Sequence, residues 1–186
     1  MRASLLSTLL VAAAAWAPPS AAPVHADTPV VSVHSVKAAF LCKFAGYVEW
    51  PRAAAADASP LTIGVLGSAE MADELARITA GRTVNQRPVH VRQLSEGESL
   101  EGLQILFIGT DGGESLAASL HPALGLPILT VTDAPGALTS GSMINFTVDR
   151  DRVRFEVSLP AAERGRLKLS SRLLAVAQRV EREPGS

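Results

Sequence analysis

The run Ile105-Leu106-Phe107-Ile108 is apolar at every position and leaves no side chain to face water. A strand of this kind is covered on both faces, as in sheets flanked by helices. A helix to about residue 120 and a second buried strand over 127–131 follow it. Strand, helix and strand over 104–132 read as a right-handed parallel crossover. Residues 61–67 form another short apolar strand. Ser68 is placed to cap a helix over 69–80, where Glu70 suits the helix dipole and Gly81 is a stop. Val89, Val91 and Leu94 alternate with polar residues as a further strand. Gly109 ends the 105–108 run, and Asp111-Gly112-Gly113-Glu114 has the spacing of a capping box.

Upstream, Val33, Val36, Phe40, Phe44 and Tyr47 recur at helical spacing, which predicts a helix over 33–50 stopped by Pro51. Residues 52–59 are an Ala-rich linker. Downstream, Ile144, Phe146 and Val148 alternate with polar residues, as do Val153, Phe155, Val157 and Leu159. With the turn Asp149-Arg150-Asp151-Arg152 between them they make an antiparallel hairpin with one buried face. Pro160 and Gly165 bracket a short helical turn, and residues 167–169 are extended. Ser170 caps a final helix with Leu173, Val176 and Val180 toward the core. The fold class is therefore α/β, a mixed, partly parallel sheet flanked by helices, with an antiparallel hairpin near the C-terminal part.

Residues 1–26 carry Arg2, an apolar stretch from Leu5 to Trp16, two prolines and a small-residue site ending at Ala26. That is the pattern of a secretory signal peptide cleaved near Ala26. The organisation read from the sequence is a signal peptide over 1–26, a lead-in over 27–32, one domain over 33–181 and a frayed tail over 182–186. Export places the chain in an oxidising compartment, yet Cys42 is its one cysteine, so no intrachain disulfide can form. Cys42 reads as a small buried hydrophobe ahead of an intermolecular cross-link.

Charge and composition narrow the function. The chain holds 17 Lys+Arg against 18 Asp+Glu, and aromatics are 4% of its 186 residues. No basic footprint or stacking platform for nucleic acid results. His25, His34, His90 and His121 are scattered, so no metal or other cofactor is expected. Gly64 and Gly67 lie at a strand-to-helix junction but lack the rest of a phosphate-binding motif; a tight turn accounts for them. Gly141-Ser142-Met143 lacks the second glycine of a nucleophile elbow, and Asp133 could join a triad in principle, which leaves an envelope hydrolase as a low-ranked reading. Tyr47, Glu49 and Trp50 can form a wet-rimmed pocket or hot spot, or simply finish the core. Arg154 and Glu156 share one strand face, either as an exposed pair or as a charged wall over which Lys168 and the last helix close.

Several blocks in order carry a resemblance: Val36-Lys37-Ala38-Ala39-Phe40-Leu41, Phe44-Ala45-Gly46-Tyr47-Val48-Glu49-Trp50-Pro51, Leu61-Thr62-Ile63-Gly64-Val65-Leu66-Gly67, Ile105-Leu106-Phe107-Ile108-Gly109, Gly141-Ser142-Met143-Ile144-Asn145-Phe146, Arg154-Phe155-Glu156-Val157 and Leu167-Lys168-Leu169-Ser170-Ser171. Together they resemble the YfiR family of exported bacterial proteins. The resemblance implies a periplasmic, non-enzymatic regulator that binds the periplasmic sensor domain of an inner-membrane diguanylate cyclase, or a related sensor, and restrains cyclic di-GMP and biofilm formation. It implies a homodimer and a pocket for a small aromatic ligand. The matching positions are Gly46, Tyr47, Glu49, Trp50, Glu156, Lys168 and Ser170. Two departures accompany it. The cysteines implied at the positions of Gly64, Leu103 and Asn145, and near Thr139, are absent, which argues against redox control. Glu49 also stands where a basic residue is implied. The alternative is a periplasmic small-molecule-binding module serving a sensor kinase or uptake receptor.

Overall fold

The fold was obtained as a computed structural model that describes residues 32–51, 60–110 and 115–182. The signal segment, most of the lead-in, the linker over 52–59, the capping-box motif over 111–114 and the last four residues lie outside the described residues.

The elements follow as α1 (Val33–Phe44), β1 (Val48–Glu49), β2 (Leu61–Leu66), α2 (Ala69–Thr79), β3 (Thr83–Val84), β4 (Arg87–Leu94), β5 (Ile105–Ile108), α3 (Leu116–Leu120), β6 (Leu129–Thr132), β7 (Ile144–Asp149), β8 (Arg152–Ser158), α4 (Leu159–Arg164), β9 (Lys168–Leu169), α5 (Ser171–Val176) and β10 (Arg179–Glu181). Eight strands form one mixed sheet in the order β10-β8-β7-β6-β5-β2-β4-β3. Strands β4, β2, β5, β6 and β7 run parallel to their neighbours, while β7 and β8 make the antiparallel hairpin. The expected α/β class is thus the observed one.

Strand β5 shows why both faces are covered. Ile105 and Phe107 join the core formed with α1 and α2, through Leu41, Phe44, Met71 and Leu75. Leu106 and Ile108 turn to the other face and meet Leu94, Leu103, Leu120 and Ile128. The period of two along a strand splits the run between two cores.

Helix ends follow their caps. Ser32, Ser68, Ser115, Ser158 and Ser170 each accept a hydrogen bond from the backbone N–H three residues on. Two hairpin turns place both central residues at positive φ, Arg150 and Asp151 in β7–β8, and Asn85 and Gln86 in β3–β4. That conformation matches the twist of the flanking strands. The β3–β4 turn lacks glycine, which left it silent in the sequence.

Two helices are shorter than their periodicity predicts. Helix α1 ends at Phe44 rather than at Trp50. The amides of Gly46 and Tyr47 bond back three residues to Lys43 and Phe44, both at 2.9 Å, which tightens and closes the last turn. Pro51 also drives Trp50 out of helical geometry. Val48 and Glu49 instead pair antiparallel with Leu169 and Lys168. Helix α5 stops at Val176, which is 65% exposed rather than in the core. Gln178 N–H bonds Phe155 O at 2.8 Å, and residues 179–181, Val180 included, add to β8 as a parallel edge strand.

Helices α1 and α2 are tied at their surface. Arg77 forks onto Glu74 with contacts of 2.9 and 2.6 Å. This pair, with the Ser35 hydroxyl of α1, lowers the Glu74 pKa to about 2 from 4.5. A depressed carboxyl pKa contributes stability above pH 4.5 that is lost as pH falls toward 2. Glu74→Gln should therefore flatten the acid limb of a stability-versus-pH curve in that window while changing stability at neutral pH by about 1 kcal/mol or less.

Gly64 of β2 fixes the second face. A Cβ there would lie 2.7 Å from Leu103 Cδ1 and 2.8 Å from Leu94 Cδ1. Gly64→Ala should cost about 1–3 kcal/mol by overpacking, read from urea midpoints at unchanged slope.

Candidate functional site

The turn after α1 brings most of the expected site residues to one place. Glu49 sits opposite Lys168 across the two-residue ribbon of β1 and β9, and Val48 sits opposite Leu169. Ser170 N–H donates to Tyr47 O at 2.9 Å, while the Ser170 hydroxyl caps α5. Gly46 lies in the turn itself, where Asn85 Nδ2 donates to the preceding carbonyl of Ala45 at 3.4 Å.

Trp50 is half-buried against the main core, and its indole N–H donates to Gln104 O at 3.2 Å. It is therefore a structural anchor, whatever else the candidate site asks of it. Glu156 forms its ion pair with neither Arg154 nor Lys168, the two partners the sequence left open. Arg179 of β10 binds both Glu156 carboxylate oxygens, at 2.9 and 3.1 Å, and also reaches Glu181 at 2.8 Å. The parallel register sets Arg179 directly beside Glu156, so edge-strand pairing rather than Lys168 takes up this carboxylate. Glu156→Gln should loosen β10 with a stability loss of about 1 kcal/mol or less, seen as faster amide exchange at residues 179–181.

Two cavities of about 350 Å³ flank the ribbon. One is lined by Glu49, Trp50, Val84, Asn85 and Arg87. The other lies between α1, β8 and α5, where Phe40, Phe44 and Phe155 form apolar walls beside Tyr47 and Val176. Behind it, four phenylalanines interlock. Phe44 meets Phe155 edge-on with centroids 5.0 Å apart, Phe40 meets Phe155 at 5.7 Å, and Phe146 stacks on Phe44 at 5.8 Å. Lys43 and Arg154 line the same cavity. Both are exposed, and neither has an ion-pair partner among the described residues. An aromatic floor with two free cations at its mouth suits an apolar group carrying negative charge. The sequence signal for this cavity was the spacing of Phe40, Phe44 and Tyr47; the approach of Arg154 and α5 depends on tertiary packing.

Other chemical readings have plain structural answers. Ser142 is fully buried, and its hydroxyl donates to Ile144 O at 2.8 Å within a cluster containing Thr132 and Asn145. Asp133 pairs with Lys37 Nζ at 2.8 Å, the two side chains being 15% and 10% exposed, rather than with a histidine. No group of three or more His, Cys, Asp or Glu among the described residues could hold a metal. Cys42 is half-buried rather than fully buried, and that burial raises its pKa.

A family model described as YfiR/HmsC-like matches residues 34–178. The chain belongs to that family. The general role of YfiR/HmsC-like proteins is that of periplasmic regulators of diguanylate cyclase, not of enzymes. Among the described residues no helix is long and apolar enough to cross a membrane. The fold is also similar to a crystal structure of a conserved domain protein from Vibrio cholerae O1 biovar eltor, with a TM-score of 0.56 at 10% identity. The match covers 81% of this chain and 60% of that one, so the chain spans less than two thirds of the solved protein's length.

Proposed function

We propose that this YfiR/HmsC-like protein is exported by a cleaved signal peptide and, as a homodimer in the periplasm, binds the sensor domain of an inner-membrane diguanylate cyclase and restrains it. The turn at Gly46 and Tyr47, the Glu49–Lys168 ribbon, Trp50 and the start of α5 at Ser170 form the contact region. A small aromatic ligand in the same region shifts the balance between free and partner-bound forms, an ordinary population shift. Glu156 acts indirectly in this reading, by holding the edge strand against β8.

The observation that carries the reading is the cavity beside Tyr47. Its aromatic walls, exposed Tyr47 and Val176, and unpaired Lys43 and Arg154 are the features of an interaction anchor with charge selectivity. A carrier serving a sensor kinase or uptake receptor would use the same cavity without a cyclase output.

The two readings part in cells. Loss of the protein should raise cyclic di-GMP, and wild-type protein returned to the periplasm should lower it again. Tyr47→Ala combined with Arg154→Glu should bind the cyclase sensor domain at least about tenfold more weakly, or about 1.4 kcal/mol, and fail to lower the nucleotide, with the melting temperature little changed. Cyclic di-GMP indifferent to the protein would leave the carrier reading in its place.

A further inference from the structure

A sizeable cavity lies away from the Tyr47 region, at the ends of β2, β5 and β6 where those strands begin. It has a volume of about 880 Å³, within the range of small-molecule sites. Leu100, Leu103, Leu126 and Ile128 give it apolar walls, interrupted by His90 and by the polar groups described below.

The loop that forms one wall is built, not slack. Arg92 donates to Ser99 O and Glu101 O, both at 3.2 Å, and to Glu98 Oε1 at 3.1 Å. Glu98 in turn accepts from Ser95 N–H at 3.1 Å. These bonds hold the loop in place before any ligand arrives.

Gln104 supplies a directional polar group. The residue is 7% exposed and lines the cavity. Its Oε1 accepts from Thr62 N–H at 2.7 Å, which fixes the amide orientation. Its Nε2 has no hydrogen-bond partner among the described residues. The Gln104 side chain is mostly buried, but its free Nε2 still reaches solvent, and an open amide donor at a cavity wall suits a ligand that brings a neutral acceptor.

Charge selects the rest of the ligand. Glu98 and Glu101 both line the cavity, and no lysine or arginine does. Arg92 neutralises Glu98, whereas Glu101 has no ion-pair partner among the described residues. Unpaired Glu101 at the rim thus favours a cation over an anion near the mouth.

We infer that this cavity is a second binding site, for an apolar ligand with a basic amine and a neutral carbonyl, the chemistry of the amino end of a short apolar peptide. The ammonium meets Glu101, the carbonyl accepts from Gln104 Nε2, and the apolar side chains lie on Leu100, Leu103 and Leu126. Gln104 also links the site to the contact region, because its backbone carbonyl accepts the Trp50 indole. A ligand that moves Gln104 therefore perturbs Trp50. This site stands independently of the cyclase reading.

Leucyl-leucinamide, cationic with a neutral amide terminus, is the probe; N-acetyl-leucyl-leucine, an anion of similar bulk, is its control. Titration of the intact isotope-labelled protein is followed by amide NMR shifts. Leucyl-leucinamide should bind with a dissociation constant of about 1 mM or tighter, shifting residues 100–104 and 126–128 and the Trp50 indole N–H. The anion should bind at least about tenfold more weakly. Glu101→Gln, a surface change, should weaken the cation several-fold, and Leu126→Trp should occlude the site; unchanged melting temperatures show that both variants remain folded. No shift at about 10 mM probe, equal binding of the anion, or binding untouched by both variants would overturn the assignment.

Discussion

The contact of Phe44 with Phe155 fixes the end of the molecule where the candidate site lies. Phe44 is the last residue of α1 and 1% exposed, and Phe155 lies mid-way along β8. Their edge-on contact, with Phe40 and Phe146 completing the cluster, clamps α1 to the hairpin. Each such ring pair contributes about 0.5–1.5 kcal/mol beyond the area it buries. Since the helix cannot slide on its seat, the chain leaves it at one defined point. Tyr47, three residues later, then meets Ser170, and Glu49 meets Lys168. The site is therefore a consequence of where a core helix is stopped.

A second restraint sits at the other end of α1. Lys37 and Asp133 are mostly buried, and Asp133 Oδ1 has no partner among the described residues. A buried pair of this kind gains little over an apolar pair of the same shape, but removing one partner costs about 3–5 kcal/mol because a charge is left stranded. Its contribution is to the orientation of α1: Phe44 could pack in several rotations, whereas Lys37 can reach Asp133 in few. Aromatic packing supplies the attraction and the ion pair supplies the register.

Local chemistry made most of this fold legible in the sequence. The unbroken apolar run of β5, the alternation of β7 and β8, and the serine caps each follow from a few neighbouring residues. Their outcomes could be read without tertiary knowledge. The two helix ends could not. Residues 45–50 continue a helical apolar pattern, and Val180 keeps step with Leu173 and Val176. Local back-bonds at Gly46 and Tyr47 close the first helix and the chain beyond them is taken up by Lys168 and Leu169, while the open side of β8 takes up the chain beyond the second. The same holds for the candidate site. Tyr47, Glu49 and Trp50 stand out as a group, and Lys168 and Ser170 join them across the ribbon. Arg179, which claims Glu156, and Lys43, which joins Arg154 at the cavity mouth, gave no local signal.

The absence of cysteine pairs has a physical counterpart. Gly64 and Leu103, two positions where the family resemblance implies cysteines, are in contact here, with the leucine side chain filling the space a Cβ would need. A covalent link between such positions would close a loop of about forty residues and remove about 4 kcal/mol of chain entropy from the unfolded state. A leucine seated on a glycine contributes less, about the 1.5–3 kcal/mol of one buried aliphatic side chain, but it does not depend on the redox state of its surroundings. The loop carrying Leu103 is instead held by Arg92 and Glu98, exposed groups whose bonds exchange readily with water. The cover over the second core is therefore set by packing and polar contacts, with no covalent link between β2 and the loop.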